Sequence, residues 1–151
     1  MLPSERLRTL EIVLPEPGKP LGNYATAKRV GPHVFVSGQL PVDDAGAMIT
    51  GRLGGGVDLA TGQRAARLAV LRALGAAAAA AGHIDELREV IRMTVYVNAA
   101  PSFTEHAQVA DGASDVLVQI FGDDGLPVRA AVGVASLPRN AAVEVELVVG
   151  V

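Results

Sequence analysis

The stretch LPVRAAVGVASLPRNAAVEVELVV, residues 126–149, decides the fold of this chain. Its pattern is typical of two β-strands joined by a turn that Pro138 marks. In the second strand, alternation with a period of two places Glu144 and Glu146 on one face and only valine and leucine on the other. The first strand carries a single charge, Arg129, among small apolar residues. The two strands therefore predict a sheet with one buried face and with charged side chains at positions 129, 144 and 146.

Arg129 needs an anionic partner, because an arginine among alanine, valine and glycine is costly to desolvate alone. A substrate carboxylate is one such partner, since the guanidinium fork binds a carboxylate through two hydrogen bonds. An internal salt bridge to Glu144 or Glu146 is the other. The residues alone leave both interpretations open.

Composition limits the class of protein. The 151 residues predict one domain, residues 1–151, with residues 1–20 as an N-terminal lead-in. The chain has no cysteine, which excludes disulfides and thiolate metal sites. A net charge of −3, two tyrosines, three phenylalanines and no tryptophan argue against a nucleic-acid partner. No apolar segment is long enough to be a signal peptide or a membrane span, so we expect a cytoplasmic protein with no membrane partner.

No cofactor or metal motif stands out. The three histidines, His33, His83 and His106, are scattered and have no metal-ligand partner three or four residues away, so we predict no metal site. The glycines of the segment 54–56 lack the ending of a phosphate-binding loop and predict a flexible loop. No GxSxG motif is present to support a serine nucleophile.

The remaining elements follow from periodicity and from breaker residues. We predict a short amphipathic helix within residues 1–12, and a helix that Asp58 caps and Gly82 ends. Its apolar stripe is Leu68, Leu71, Leu74 and Ala78. The other predicted elements are a hairpin of strands Tyr24–Val30 and His33–Ser37, a short strand Ala47–Thr50, a strand Val90–Val97 and a helix Ser102–Phe121.

This order of strands and helices predicts an α+β domain of two layers, a mixed sheet with two helices on one face. The second face of the sheet is predicted to be partly apolar, with Ala131, Gly133 and Val148 beside its charges. A half-apolar sheet face is normally covered. Because no further helix is available, we predict that another copy of the chain covers it.

Two shorter features each allow two interpretations. Ser37-Gly38-Gln39 ends a predicted strand, where the glycine serves either a strand exit or a close approach of the backbone to a ligand. Tyr24 is either an edge-strand aromatic or the lid of a pocket.

Together these features resemble one known family. The segments GNYATAKRVGPHVFVSGQLP (22–41) and LPVRAAVGVASLPRNAAVEVEL (126–147) resemble the reactive intermediate deaminase family, also called RidA or YjgF, and the chain looks like a longer subgroup of it. The resemblance covers about residues 21–149. It implies a chorismate-mutase-like α+β fold and a homotrimer, in which three sheets form a central barrel and clefts lie between the subunits.

The resemblance also implies a chemistry that needs no cofactor. Active members hydrolyse enamine and imine intermediates, such as 2-aminoacrylate, to 2-keto acids and ammonia. By position, Arg129 is implied to bind the substrate carboxylate. Glu144 is implied to hold and activate the attacking water, or to move its proton.

The resemblance assigns substrate-binding roles as well. Tyr24 is implied to line the cleft from a neighbouring subunit, and the backbone at Gly38 and Ala131 to contact the substrate, with Ser37 nearby. Many members have a cysteine where this chain has Ala131.

Two further departures bear on specificity. Asp111 stands where we expect an asparagine, and its charge would disfavour an acidic substrate. Gly133 predicts a roomier site. The leading interpretation is a deaminase of small 2-imino acids. The alternatives are a non-catalytic binder or regulator that takes small carboxylates, a hydrolase with a larger substrate, and the endoribonuclease activity ascribed to some relatives.

Overall fold

A computed structural model describes all 151 residues and has the predicted α+β architecture, a mixed sheet covered by helices on one face. The helices are α1 (Pro3–Thr9), α2 (Leu59–Ala81) and α3 (His106–Phe121), and the strands are β1 (Ala27–Val30), β2 (His33–Gln39), β3 (Arg52–Leu53), β4 (Gly56–Val57), β5 (Glu89–Asn98), β6 (Val128–Val134) and β7 (Val143–Gly150). Short 3₁₀ turns lie at Ile84–Glu86, Gly122–Gly125 and Pro138–Asn140.

The main sheet has the strand order β1-β2-β7-β5-β6, and β3 and β4 form a separate two-stranded ribbon. Only β5 and β6 run parallel within the main sheet, and α3 makes the crossover connection between them. The two strands of the opening stretch are therefore not neighbours. β7 lies at the centre of the sheet, whereas β6 forms one edge.

Helix α2 begins and ends as predicted, but its buried stripe differs. The Asp58 carboxylate caps it by accepting a hydrogen bond from the Thr61 N–H at 2.9 Å, and Gly82 ends it at a φ of 107°. Of the predicted stripe only Leu74 is fully buried. The buried face consists mostly of alanines, which let α3 and the sheet approach the helix closely from two sides (Ala65, Ala66, Ala69, Ala73, Ala76 and Ala77).

The short helix predicted within residues 1–12 is present as α1, a third helix beside the two long helices predicted to cover the sheet. Helix α1 packs against α3 and buries Leu7. The Ser4 N–H and hydroxyl donate to the Asp85 carboxylate at 2.8 and 2.7 Å, and the hydroxyl contact is the main reason why the pKa of Asp85 is lowered. This double hydrogen bond attaches α1 to the turn before β5.

Two predicted boundaries and one predicted strand were wrong because turns and bends replace regular structure there. Helix α3 begins at His106 rather than Ser102, since a turn closed by the Phe103 N–H and the Ala100 carbonyl precedes it. β1 begins at Ala27, because residues 24–26 form a bend rather than a regular strand. The segment 47–50 forms only isolated bridges, to Val42 and Ala141, rather than a strand.

The sheet presents two different faces. The helix face is closed by fully buried side chains of the central strands (Val34, Met93, Val95, Val97, Val143, Val145 and Val149). The register pairs Val95 with Ala131 and Val97 with Gly133, which places both small residues on the helix face and corrects the prediction that they lie opposite. The opposite face, here called the open face, instead exposes Phe35, Val128 and Val132.

Gly112 sets the distance between the two long helices. A Cβ at this position would collide with the backbone carbonyl of Gln63 in α2, which cannot move without displacing that helix. We expect Gly112→Ala to lower the free energy of unfolding by roughly 1–3 kcal/mol, although alanine favours helix, because overpacking a close contact strains both partners. Urea unfolding followed by circular dichroism measures this change.

Gly55→Ala is the matched control, since a Cβ there makes only ordinary contacts with Arg52. We expect its effect on the free energy of unfolding to stay within about 0.5 kcal/mol. Equal stability of Gly112→Ala and the wild type would contradict the close helix contact.

Candidate functional site

The predicted site residues separate into two groups on opposite faces of the sheet. Tyr24, Ser37, Gly38 and Glu144 line one cavity, here called the Glu144 cavity, together with Leu21, Leu40 and Pro138. Arg129 lies on the helix face, because its register partner on β5 is the fully buried Met93. Glu144 pairs with Tyr96, one step out of phase, and therefore lies on the open face. A single chain does not bring Arg129 and Glu144 together.

A β-bulge shapes the Glu144 cavity. The pairing of β2 with β7 shifts by one residue between Val36 and Gln39, so Ser37 and Gly38 bulge from the ladder. The Glu144 side chain lies against Gly38 so closely that a Cβ there would overlap it. The Ser37 hydroxyl donates to the Thr26 carbonyl at 2.9 Å, which ties the bulge to the start of the hairpin. The absence of a side chain at Gly38 thus leaves the space that the carboxyl group occupies.

Tyr24 forms one wall of this cavity from the bend before β1. Its ring is half exposed, and its hydroxyl oxygen accepts a hydrogen bond from the Leu21 N–H at 3.2 Å. That contact holds the segment 21–24 as a local turn beside the bulge. The position fits the lining role that the sequence suggested for Tyr24.

Glu144 differs from Glu146, its neighbour on the same face. The Glu146 carboxylate accepts a hydrogen bond from the Tyr96 hydroxyl at 2.8 Å, and this contact raises the pKa of Tyr96. Glu144 is half-buried and has no hydrogen-bond partner in the chain. Burial, and next the negative charge of Glu146, raise its pKa above the usual value. A carboxyl group with a raised pKa beside a cavity is a stronger base than an ordinary glutamate and can accept and return a proton.

Arg129 has an internal partner, but it is neither glutamate of β7. Its Nη1 donates to Asp111 at 2.8 Å and to the Ser114 hydroxyl at 2.9 Å, and its Nη2 donates to the Ala107 carbonyl at 3.3 Å. All three acceptors belong to α3, so the edge strand β6 is attached to the helix by this arginine. Of the two interpretations that the sequence left open, the ion pair with Glu144 or Glu146 is therefore wrong. The Arg129 Nε makes no hydrogen bond within the chain, which leaves it available to a ligand.

His106 and Ser114 belong to the surroundings of Arg129 and were missed from the sequence. The His106 ring lies over Gly133, where a Cβ would come within 2.6 Å of Nε2, so the space left by this glycine is filled and is not a roomier site. A sequence signal existed for Ser114, because three-residue spacing places it on the helical face of Asp111. None existed for His106, since the start of α3 was predicted four residues too early.

Two general features of the molecule complete the description. Nowhere do three or more histidine, aspartate or glutamate side chains come together as metal ligands would. None of the helices combines the length and the apolar character needed to cross a bilayer.

Comparison with known proteins identifies the family of this chain. The family model described as "YjgF/chorismate_mutase-like, putative endoribonuclease" matches residues 4–150. Protein TCP17 of Trypanosoma cruzi is 44% identical over 144 residues, which cover 95% of this chain and 90% of that protein. The 2-iminobutanoate/2-iminopropanoate deaminase of Dermatophagoides farinae is 30% identical over 132 residues, 87% of this chain and 88% of that protein.

Solved structures agree with the sequence relatives. A crystal structure from Shewanella oneidensis MR-1 superposes with a TM-score of 0.95 at 32% identity, and the match covers 100% of both chains. The chorismate-mutase-like fold inferred from the sequence is thereby confirmed. This protein belongs to the YjgF/RidA family, also named the RutC family.

Proposed function

We propose that this protein is a cofactor-independent deaminase, which hydrolyses small 2-imino acids and their enamine tautomers to 2-keto acids and ammonia. The observation that carries the proposal is Glu144, an unpaired carboxyl group with a raised pKa beside a cavity. The relative from Dermatophagoides farinae that is named for this reaction, 2-iminobutanoate/2-iminopropanoate deaminase, supports the same activity.

The reaction requires few groups. Water adds to the imine carbon of the substrate while Glu144 accepts one of its protons, and a new C–O bond forms. The electron pair of the C=N bond moves to the nitrogen of the protonated imine, and Glu144 returns its proton to that nitrogen. As the C–N bond breaks, the hydroxyl group of the tetrahedral intermediate gives its proton to Glu144, the carbonyl forms and ammonia leaves. Binding of the carboxylate beside an ordered water supplies proximity, and a general base typically contributes about 10²–10⁴-fold.

A complete site needs two copies of the chain. Arg129 and Glu144 lie on opposite faces of one sheet, so a cleft that contains both must form between subunits. In the proposed homotrimer with a central barrel, one copy contributes Arg129 and Ala131, and its neighbour contributes Glu144, Gly38 and Tyr24. The uncovered apolar side chains of the open face support assembly, with Phe35, Val128 and Val132 exposed by 48%, 64% and 42%.

Asp111 limits what Arg129 can bind. The ion pair occupies Nη1, so a substrate carboxylate would approach the free Nε and share the positive charge with Asp111. We therefore expect weaker binding of the substrate than a fully free arginine would provide. The Ala107 carbonyl and Ser114 keep the guanidinium group oriented in either case.

The first prediction concerns turnover. We expect the protein to accelerate release of 2-keto acid from 2-iminopropanoate and 2-iminobutanoate, which a dehydratase generates in situ. Glu144→Gln should lose about 10²–10⁴-fold in kcat, because it removes the base and keeps the shape. Arg129→Ala should mainly raise KM, since a charged contact is worth roughly 2–5 kcal/mol.

Both variants must keep the oligomeric mass of the wild type, measured by light scattering and expected to be three times that of the 15.5-kDa chain. Binding of 2-keto acids without any turnover would reject the deaminase and support a carboxylate-binding regulator instead.

The second prediction tests the shared cleft by complementation. Arg129→Ala and Glu144→Gln trimers, each expected to have a kcat/KM far below that of the wild type, are unfolded together in equal amounts and refolded, and kcat/KM is measured at low substrate concentration. If the two residues come from different copies, each mixed trimer regains one complete cleft, which is about a quarter of all clefts in the refolded population, and activity should return to about that fraction. No recovery, from mixed trimers verified by mass spectrometry, would place both residues in the same copy.

The third prediction concerns pH. Glu144 acts as a base only when ionised, and its raised pKa means that kcat/KM falls on acidification at a higher pH than for an ordinary glutamate. Glu146→Gln removes the neighbouring negative charge and keeps an acceptor for Tyr96, so the acid limb should move to lower pH. Glu86→Gln, an exposed glutamate in the turn before β5, is the control and should leave the profile unchanged. An unshifted limb in Glu146→Gln would show that another group titrates.

A further inference from the structure

A second cavity adjoins the Glu144 cavity. It has a volume of about 100 Å³ and lies between the segment 18–26, helix α2 and the turn Pro138–Asn140. Tyr24, Ser37 and Gly38 line both cavities, so the two are continuous around the bulge of β2. Three cationic side chains, Lys19, Arg72 and Arg139, line the second cavity, which is here called the basic cavity.

The three cations of the basic cavity have no anionic partner. No aspartate or glutamate lines the cavity, and the two ion pairs of the chain, His83–Asp85 and Arg129–Asp111, lie elsewhere. Arg72 projects from α2 and is half-buried, so its charge is partly removed from water without compensation. Like charges that line one cavity from three separate segments repel one another, and an anion in the cavity would relieve that repulsion.

The backbone at Arg139 shows that its position is imposed. Arg139 has a φ of 56°, in the left-handed region that a long side chain seldom adopts. The turn is held there by the buried Asn98, whose Nδ2 donates to Asn140 Oδ1 at 3.2 Å and to the Ala141 carbonyl at 3.1 Å. A hydrogen bond of 2.9 Å from the Gly51 N–H to the Asn140 carbonyl fixes the other side. Strain that the surroundings enforce in this way is typical of a functional position.

We propose that the basic cavity binds a second anionic group of the ligand that enters the Glu144 cavity. The proposal rests on the proposed function for the identity of the reacting group, and it names the substrate class: an imino acid that carries a distal carboxylate or phosphate. Arg72 and Arg139 bind that distal group through charged hydrogen bonds, and Lys19 adds a third charge from the lead-in segment. A small monocarboxylic imine leaves these three cations unused.

The test compares three stable ligands that differ only in the distal group. Butanoate, succinate and 3-phosphonopropanoate are titrated into the wild-type protein by calorimetry. Succinate or the phosphonate should bind at least about tenfold more tightly than butanoate, since a hydrogen bond between charged groups is worth at least one such factor. The better of the two identifies whether the distal group is a carboxylate or a phosphate.

Substitutions of the cations in the basic cavity test whether these residues cause the preference for dianions. Arg72→Gln and Arg139→Gln should each reduce the preference for the dianion about tenfold and leave butanoate binding unchanged. Arg67→Gln is the matched control, because Arg67 also projects half-buried from α2 but does not line the cavity. Arg139 is exposed, so its variant keeps the test valid if Arg72→Gln fails to fold.

Equal binding of all three ligands, or a preference that survives both variants, would overturn the proposal. These binding measurements are independent of turnover. A preference for dianions with no imine hydrolysis would reject the proposed deaminase and keep the basic cavity. Fast hydrolysis of 2-iminobutanoate, with no faster hydrolysis of 2-iminosuccinate and no preference for dianions in binding, would support the deaminase and reject the proposed role of the basic cavity.

Discussion

The alternation of side chains along β7 is the constraint on which the rest of this structure depends. Val143, Val145 and Val149 are fully buried under the helices, whereas Glu144 and Glu146 lie on the open face. β7 is hydrogen-bonded on both sides, to β2 and to β5, so its register is imposed on the whole sheet. A slip by one residue would drive two carboxylates into the core, and it is therefore strongly disfavoured. The same alternation aims Glu144 at the bulge of β2.

Much of the fold could be predicted from local pattern. Three features depend only on residues that are close in sequence: the alternation in β7, the cap at Asp58 and the helix end at Gly82. Each lies where it was predicted. The buried face of α2 was mispredicted because leucine is the stronger apolar signal, although most positions of the narrow space between α3 and the sheet are filled by alanine. The start of α3 depends on a turn at Ala100 and Phe103 that no periodicity marks.

The candidate site was predictable in its residues but not in its contacts. Tyr24, Ser37, Gly38 and Glu144 share a cavity, because the motifs that contain them border one bulge. The partner of Arg129 was not predictable, since pairing across a parallel crossover depends on how α3 lies over β6. Sequence proximity favoured the glutamates of β7, yet β6 and β7 are separated by β5 in the sheet.

The hydrogen bonds between Arg129 and α3 determine when the arginine side chain becomes ordered, during folding or during ligand binding. A free arginine on an edge strand samples many rotamers, and a ligand that engages it must restrict them at the moment of binding. Here Asp111, Ser114 and the Ala107 carbonyl restrict them when the chain folds. In the proposed homotrimer, each subunit would thus bring a rigid guanidinium to the cleft between two subunits. The negative charge of Asp111 weakens the attraction between Arg129 and an anionic ligand. The fixed orientation of the guanidinium group offsets part of that loss, because less side-chain entropy is lost on binding.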